Sequence, residues 1–268
     1  MLANASKILE SNLTSSSFKT KLRSGELLVG TFIKTASHQT IEIVGQTGLH
    51  FVVIDAEHAP FSVNQLDVCL LAAQAHQLPA LVRLSNSEAS TVLQSLDMGA
   101  TGLLVPHAKV PHEVRAVTSS AHYRNGTRGF SNSPRAGGYG TLNMASLIDE
   151  ADAKSTLVFQ IEDQEALEVI DELASLPQVD GYLIGRADLA VSLGVFDINA
   201  PEVEQAIARI SKACQTHQKA LGIFVTQVQE IPKWRKLGMS FFIVGSDQSM
   251  LKQQAHQLSQ EFNQLIQG

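Results

Sequence analysis

Acids, bases and an arginine stand in this sequence where apolar runs stop. VVID is followed by Ala56, Glu57 and His58, FQI runs into Glu162, and GYLIG leads through Arg186 and Ala187 to Asp188. Two carboxylates with no thiol beside them and no H-x-x-x-H spacing suit a hard divalent ion such as Mg²⁺ or Mn²⁺, which takes oxygen ligands. Glu162 and Asp188 are that pair. The alternative is that each caps a helix, since Asp188 opens DLAVSLG. Asp55 and His58 have the makings of a base and its orienting carboxylate, the acid fixing the imidazole tautomer so that the other nitrogen can take a proton. Glu57 could instead be the ligand or the base, and a satisfied surface histidine is the plain alternative for His58.

Arg83 follows LV inside the otherwise apolar PALVRL. A guanidinium there must meet carboxylate, phosphate or substrate. It is either a stabiliser of an anion or enolate, or half of a buried ion pair with Asp55 or Glu162. Arg128 and Arg135, in RNGTRGFSNSPRAGGYG, could clamp a substrate carboxylate; solvated loop arginines, or RG-type nucleic-acid contacts, are the alternative. His107 and His38 are weaker candidates for substrate contact. Lys34, ending the first apolar run, is the residue that Schiff-base chemistry would use.

Residues so far apart in sequence need a scaffold that gathers them. Short apolar runs recur at 27–33, 51–55, 79–84, 102–106, 156–162, 180–185, 220–225 and 240–245. Between them lie segments with helical spacing, such as VNQLDVCLLAAQAHQ and VEQAIARISKACQTH. Alternation implies parallel strands with helical crossovers, and burial on both faces explains why the strands are unbroken apolar runs. Eight such units in roughly 240 residues fit an α/β fold of the (β/α)₈ TIM-barrel type, in which all strand ends converge on one mouth. The rival, a doubly wound open sheet, lacks its signature: the turn after the first run is KTASHQT, with no G-x-G-x-x-G. The expected organisation is a polar leading helix over residues 1–24, outside the barrel, and one barrel domain over 25–268. A connection of roughly 50 residues between the fourth and fifth runs is long enough to carry function. The closing SMLKQQAHQLSQEFNQLIQG reads as a helix whose apolar seam suits its own barrel or a partner subunit.

With 268 residues, 44% hydrophobic, 17% charged and a net charge of −6, the chain reads as a compact protein without the basic face of a nucleic-acid binder. Cys69 and Cys214 fall in helical segments outside any metal spacing, which points to a reducing, cytoplasmic compartment. No signal-peptide core and no membrane span is legible. A small-molecule partner is expected, with neither nucleic acid nor membrane.

Assembled in this order, VVIDAEHAPF, PALVRL, GATGLLVPH, GTRGF, FQIED and VDGYLIGRADLAVSLG resemble the HpcH/HpaI family of metal-dependent class II pyruvate aldolases, from about residue 25 to 265. The resemblance implies a barrel of the phosphoenolpyruvate/pyruvate type. It implies Glu162 and Asp188 as holders of a divalent ion (Mg²⁺, Mn²⁺ or Co²⁺), Arg83 as stabiliser of a pyruvate enolate, and His58 oriented by Asp55 as base. Gln160 and the backbone near Ala187 would seat the substrate, with Glu57 supporting. It further implies cleavage of a 4-hydroxy-2-oxo acid to pyruvate and an aldehyde, and a homo-oligomer, hexameric or trimeric, with an exchanged last helix. The sequence departs from the usual family pattern at Arg186, where proline is common, and in SNSPRAGGYG. Both changes suggest an extra anionic group on the aldehyde half or a different acceptor. A citrate-lyase-like acyl-CoA lyase, a Schiff-base aldolase using Lys34 and a non-catalytic ligand-binding barrel are the competing readings.

Overall fold

A computed structural model describes residues 17–267. Eight parallel strands close into one barrel in sequence order. They are β1 (Leu28–Ile33), β2 (Phe51–Asp55), β3 (Ala80–Arg83), β4 (Gly102–Val105), β5 (Thr156–Ile161), β6 (Gly181–Ile184), β7 (Ala220–Val225) and β8 (Phe241–Ser246). Every residue of β2 to β6 is buried, as unbroken apolar runs require when one face meets the barrel interior and the other a helix layer.

The two faces make two cores. Inside the barrel, Phe32, Phe51, Val53, Leu81, Leu104, Val158, Leu183, Phe241 and Ile243 pack together. Room for the Phe241 ring depends on Gly222, where a Cβ would lie 2.3 Å from a ring carbon. Outside, Ile33, Ile54, Val82, Val105, Ile161 and Ile184 pack against the helices, each such side chain contributing about 1.5–3 kcal/mol on burial.

The first described helix, α1 (Phe18–Arg23), begins with Ser17 accepting from the Thr20 N–H. Phe18 and Leu22 join the interior core at its lower end, where the Phe18 and Phe51 ring centroids are 5.2 Å apart. Buried Asp180 receives Lys19, Arg23 and the Leu157 N–H, so this helix is tied beneath the barrel. The rest of the expected leading segment, residues 1–16, lies outside the described residues.

Three crossovers matter for the site. After β2 comes α2 (Val63–Ala75), opened by a capping box in which Ser62 and Gln65 satisfy each other's backbone donors. After β4 the chain descends through α3 (Pro111–Ala121), crosses a long connection and enters α4 (Met144–Lys154). After β6 comes the short α5 (Arg186–Ser192), then α6 (Pro201–Thr216). The chain ends in α7 (Asp247–Gln267), whose Asp247 carboxylate accepts the Lys34 and Thr35 N–H groups. From Gln248 to Ile266 every residue of this helix is exposed, including Leu251, Leu258, Phe262 and Leu265. Cys69 and Cys214 are free and buried, on α2 and α6, and burial pushes their thiols up to about 11 and about 12. No helix among the described residues is long and apolar enough to cross a membrane.

Candidate active site

Strand register determines which charges meet at the mouth. Asp55 and Arg83 are register partners at the ends of β2 and β3. Arg83 donates from Nε to Asp55 Oδ1 at 2.9 Å and from Nη2 to Oδ2 at 2.6 Å, a bidentate pair that fixes the guanidinium. Its other terminal nitrogen is 3.3 Å from Glu57, and its plane lies 4.6 Å from the Phe32 ring centroid. Burial works to raise the Asp55 carboxyl. The Arg83 hydrogen bond and charge, the His58 N–H and the charge of Lys34 hold it below the ordinary carboxylate range instead.

The expected contact between Asp55 and the His58 ring is not made. Asp55 Oδ1 accepts the backbone N–H groups of Glu57 and His58, at 3.3 and 3.1 Å, because the chain turns back sharply after the strand. The carboxylate beside the exposed His58 ring is Glu57, 3.6 Å from Nε2. Glu57 therefore joins Arg83, His58 and, at 3.8 Å, His107.

Glu162 follows β5 directly. Its Oε1 accepts the His107 N–H at 2.9 Å, and its Oε2 meets the Gln160 amide. Register places Ile161 opposite Ile184, so Glu162 stands beside Gly185. A Cβ at Gly185 would lie 2.7 Å from both Glu162 Oε2 and Gln160 Nε2. Burial pushes the Glu162 carboxyl up to about 7, with Asp188 adding to the rise and His107 opposing it. Glu162 is a buried acid with the His107 ring 3.5 Å from its Oε1. Asp188, in the first turn of α5, is exposed in the mouth. Two carboxylates and Gln160 Oε1, buried and unpartnered among the described residues, form an oxygen-rich donor set over a floor kept open by glycine. That set fits a hard divalent cation.

A second grouping needs comparison. His107, Glu162 and Asp163 each offer a ligand atom, all within 4.8 Å of one another. Here His107 Nδ1 is already bonded to Asp163 at 2.9 Å, and Lys109 lies 3.2 Å from Asp163. Burial opposes charge on the His107 ring, but Asp163, Glu162 and Glu57 outweigh it and raise its pKa. His107 Nδ1 also stands 3.5 Å from Glu162, so Glu162 is shared between this cluster and the oxygen set with Gln160 and Asp188. Asp163 and Lys109 were not anticipated: alternation along a strand points Asp163 away from Glu162, but β5 has ended at Ile161 and the alternation no longer holds.

A cavity of about 310 Å³ at the mouth is lined by Lys34, His58, Arg83, Gln160, Ala187 and Asp188, with Arg186 in its wall. Lys34 Nζ is 3.4 Å from Asp55. The guanidinium of Arg186 is committed elsewhere: it is 5.1 Å from the Trp234 ring centroid and donates to Glu230 at 2.8 Å and the Phe224 carbonyl at 3.3 Å. Arg128 and Arg135 are not at the mouth. Arg128 pairs with Asp97 and Arg135 with Asp67, and neither lines the mouth cavity as the expected clamp requires. His38 opens the helix His38–Val44 and does not line the cavity.

The family model for HpcH/HpaI aldolase/citrate lyase matches residues 28–253. The chain belongs to this family. Among its relatives is 5-keto-4-deoxy-D-glucarate aldolase of Enterobacter sp. (strain 638), 30% identical over 91% of this chain and 96% of the relative. An HpcH/HpaI aldolase/citrate lyase family protein from Burkholderia cenocepacia J2315 has a similar crystal structure, with TM-score 0.88 and 29% identity over 93% of this chain and all of that one. The citrate synthase SbnG superposes with TM-score 0.85 at 26% identity, over 94% of this chain and 99% of its own. HpcH/HpaI membership and the closed barrel agree with the sequence reading of fold and family.

Proposed function

We propose that this HpcH/HpaI protein is a divalent-metal-dependent carbon–carbon lyase that cleaves a 4-hydroxy-2-oxo acid to pyruvate and an aldehyde. The observation that carries the reading is Glu162: a buried carboxylate bonded to Gln160, which lines the mouth cavity together with Asp188, Arg83 and His58. Glu162 and Asp188 would hold the ion, with Gln160 at their side. When bound, it supplies Lewis acidity toward the keto and carboxylate oxygens of the oxo acid.

The chain's own groups do the rest. His58, with Glu57 beside it, takes the proton from the 4-hydroxyl. The C3–C4 bond breaks, its electron pair passes into the three-carbon fragment as enolate, and the aldehyde leaves. Arg83, immobilised by Asp55, faces the negative charge that develops on the former keto oxygen, and its fixed geometry means little reorganisation during the step. The same acid–base pair returns a proton to C3, giving pyruvate. The name of the 30% identical relative makes a keto-deoxy sugar diacid the first substrate to try.

Pyruvate release, coupled to lactate dehydrogenase, tests this on protein stripped by chelator and then given Mg²⁺, Mn²⁺ or Co²⁺. Activity lost on stripping, restored by metal and absent in Glu162→Gln supports the reading. Activity indifferent to chelation, with borohydride trapping of pyruvate on Lys34, replaces it with Schiff-base chemistry. The proposed setting is a cytoplasmic homo-oligomer in which the exposed apolar seam of α7 packs on a neighbouring subunit.

A further inference from the structure

Arg128 and Arg135 lie against a second cavity, of about 560 Å³, bounded by the residues that lead into β3, β4 and β5. This is the end of the barrel opposite the mouth, and the two cavities share no lining residue. Volume places it within the range of small-molecule sites.

Arg128 is only 7% exposed. Tyr123 covers its guanidinium, with the ring centroid 4.6 Å away, and Nη2 donates to Asp97 Oδ1 at 2.9 Å. Among the described residues that is its one hydrogen bond, and Nε is buried without a partner. Arg135 is better used: Nη1 donates to the carbonyls of Asp67 and Met98 and Nη2 to the Asp67 carboxylate, yet its Nε is also buried and unpartnered. A guanidinium carries five N–H donors in a planar fork, and groups this deeply placed normally have partners. The remaining walls are mixed, with Leu70, Leu78, Leu96 and Leu147 beside Gln74 and Gln77, and Lys154 at the edge is paired at 2.7 Å with Glu150, which also lines the cavity. Asp97 and Asp67 hold the arginines in place in advance, so an incoming anion would not have to order them.

We propose that this cavity binds a small organic anion, its carboxylate or phosphate facing Arg128 and its carbon body against the leucines. Both anions match the guanidinium fork, and their common chemistry does not depend on the reaction at the mouth.

The test is calorimetric titration of the full-length protein with phenyl phosphate, benzoate, inorganic phosphate and, as a neutral control, benzyl alcohol. Saturable binding of phenyl phosphate or benzoate is expected, with the tighter of the two identifying the preferred head group, and inorganic phosphate weaker than phenyl phosphate. Arg128→Met should weaken binding by at least about tenfold, the loss of a charge-assisted hydrogen bond. Ala151→Phe fills the cavity from α4 while leaving both arginine pairs intact, and should abolish binding without changing pyruvate release; it serves alone if Arg128→Met does not fold. No saturable binding of any charged probe overturns the proposal. So does benzyl alcohol binding equally well, or binding that survives Ala151→Phe in a folded protein.

Discussion

The two ends of this barrel handle charge in opposite ways. At the mouth, Arg83 is satisfied by Asp55, and Glu162 is a buried acid whose pKa burial raises against the pull of His107. At the other end Asp180 is ion-paired with Lys19 and Arg23, while Arg128 and Arg135 each keep a buried Nε without an acceptor, as Arg186 does at the mouth. The mouth holds a carboxyl that burial pushes up, and the other end holds arginines that their acid partners do not saturate. Arginine type alone says nothing about which role a residue has: Arg83 is placed by strand register, the loop arginines by where a connection runs.

The largest expected effect falls on the mouth. Glu162→Gln should lower kcat for pyruvate release by about 10³-fold or more, comparable with losing a principal electrostatic stabiliser, and metal retention measured by elemental analysis should fall with it. Arg83→Met separates placement from chemistry: it should cost about 10²–10³-fold in kcat. It also strands Asp55, so urea denaturation should show about 3 kcal/mol of lost stability. Gly185→Ala is gentler on the fold, since the two closest atoms to the new Cβ are the ends of the Glu162 and Gln160 side chains, with Glu162 Cβ next at 3.0 Å. Metal affinity by titration should weaken about tenfold for a shift of that kind, with the melting temperature nearly unchanged.

Asp55 gives the pH dependence. Its folded pKa lies below its ordinary value of 3.8, so its contribution to stability is present above that value and is lost as pH falls through the folded pKa. Acid unfolding monitored by circular dichroism should be steeper below about pH 4 in the wild type than in Arg83→Met, which has lost the partner. The smallest effect belongs to the far end. Asp67→Asn, at a partly exposed pair, should cost less than about 1 kcal/mol and leave kcat unchanged; a large loss of kcat would erase the contrast between the ends.

Much of this was legible in the sequence because burial on both faces writes strands as unbroken apolar runs. The run at 156–162 became β5 at Thr156–Ile161, and the others ended within a residue or two of the structure. The polar residues that close them, Asp55, Arg83 and Glu162, were found by the same rule. What failed was inference about residues beyond the strands. Backbone turns decide that Asp55 meets the His58 N–H rather than its ring, and no propensity encodes that. Arg128 and Arg135 were assigned to the mouth because their connection follows β4. Yet Val114, Val117 and Ala121 mark α3 as a helix with one buried face, and a helix of that length carries the chain about 16 Å back down the barrel before the connection begins. That signal was available. The commitment of Arg186 to Glu230 was not, since nothing in sequence links residues 44 apart on different strand ends.

The last helix has a consequence of another kind. Beyond Asp247 it rests on no core of its own chain, and a helix draws most of its stability from packing an apolar face. If a neighbouring copy supplies that packing, the order of this arm is set by mass action: the melting temperature should climb as protein concentration rises, and on dilution the arm should fray before the barrel opens.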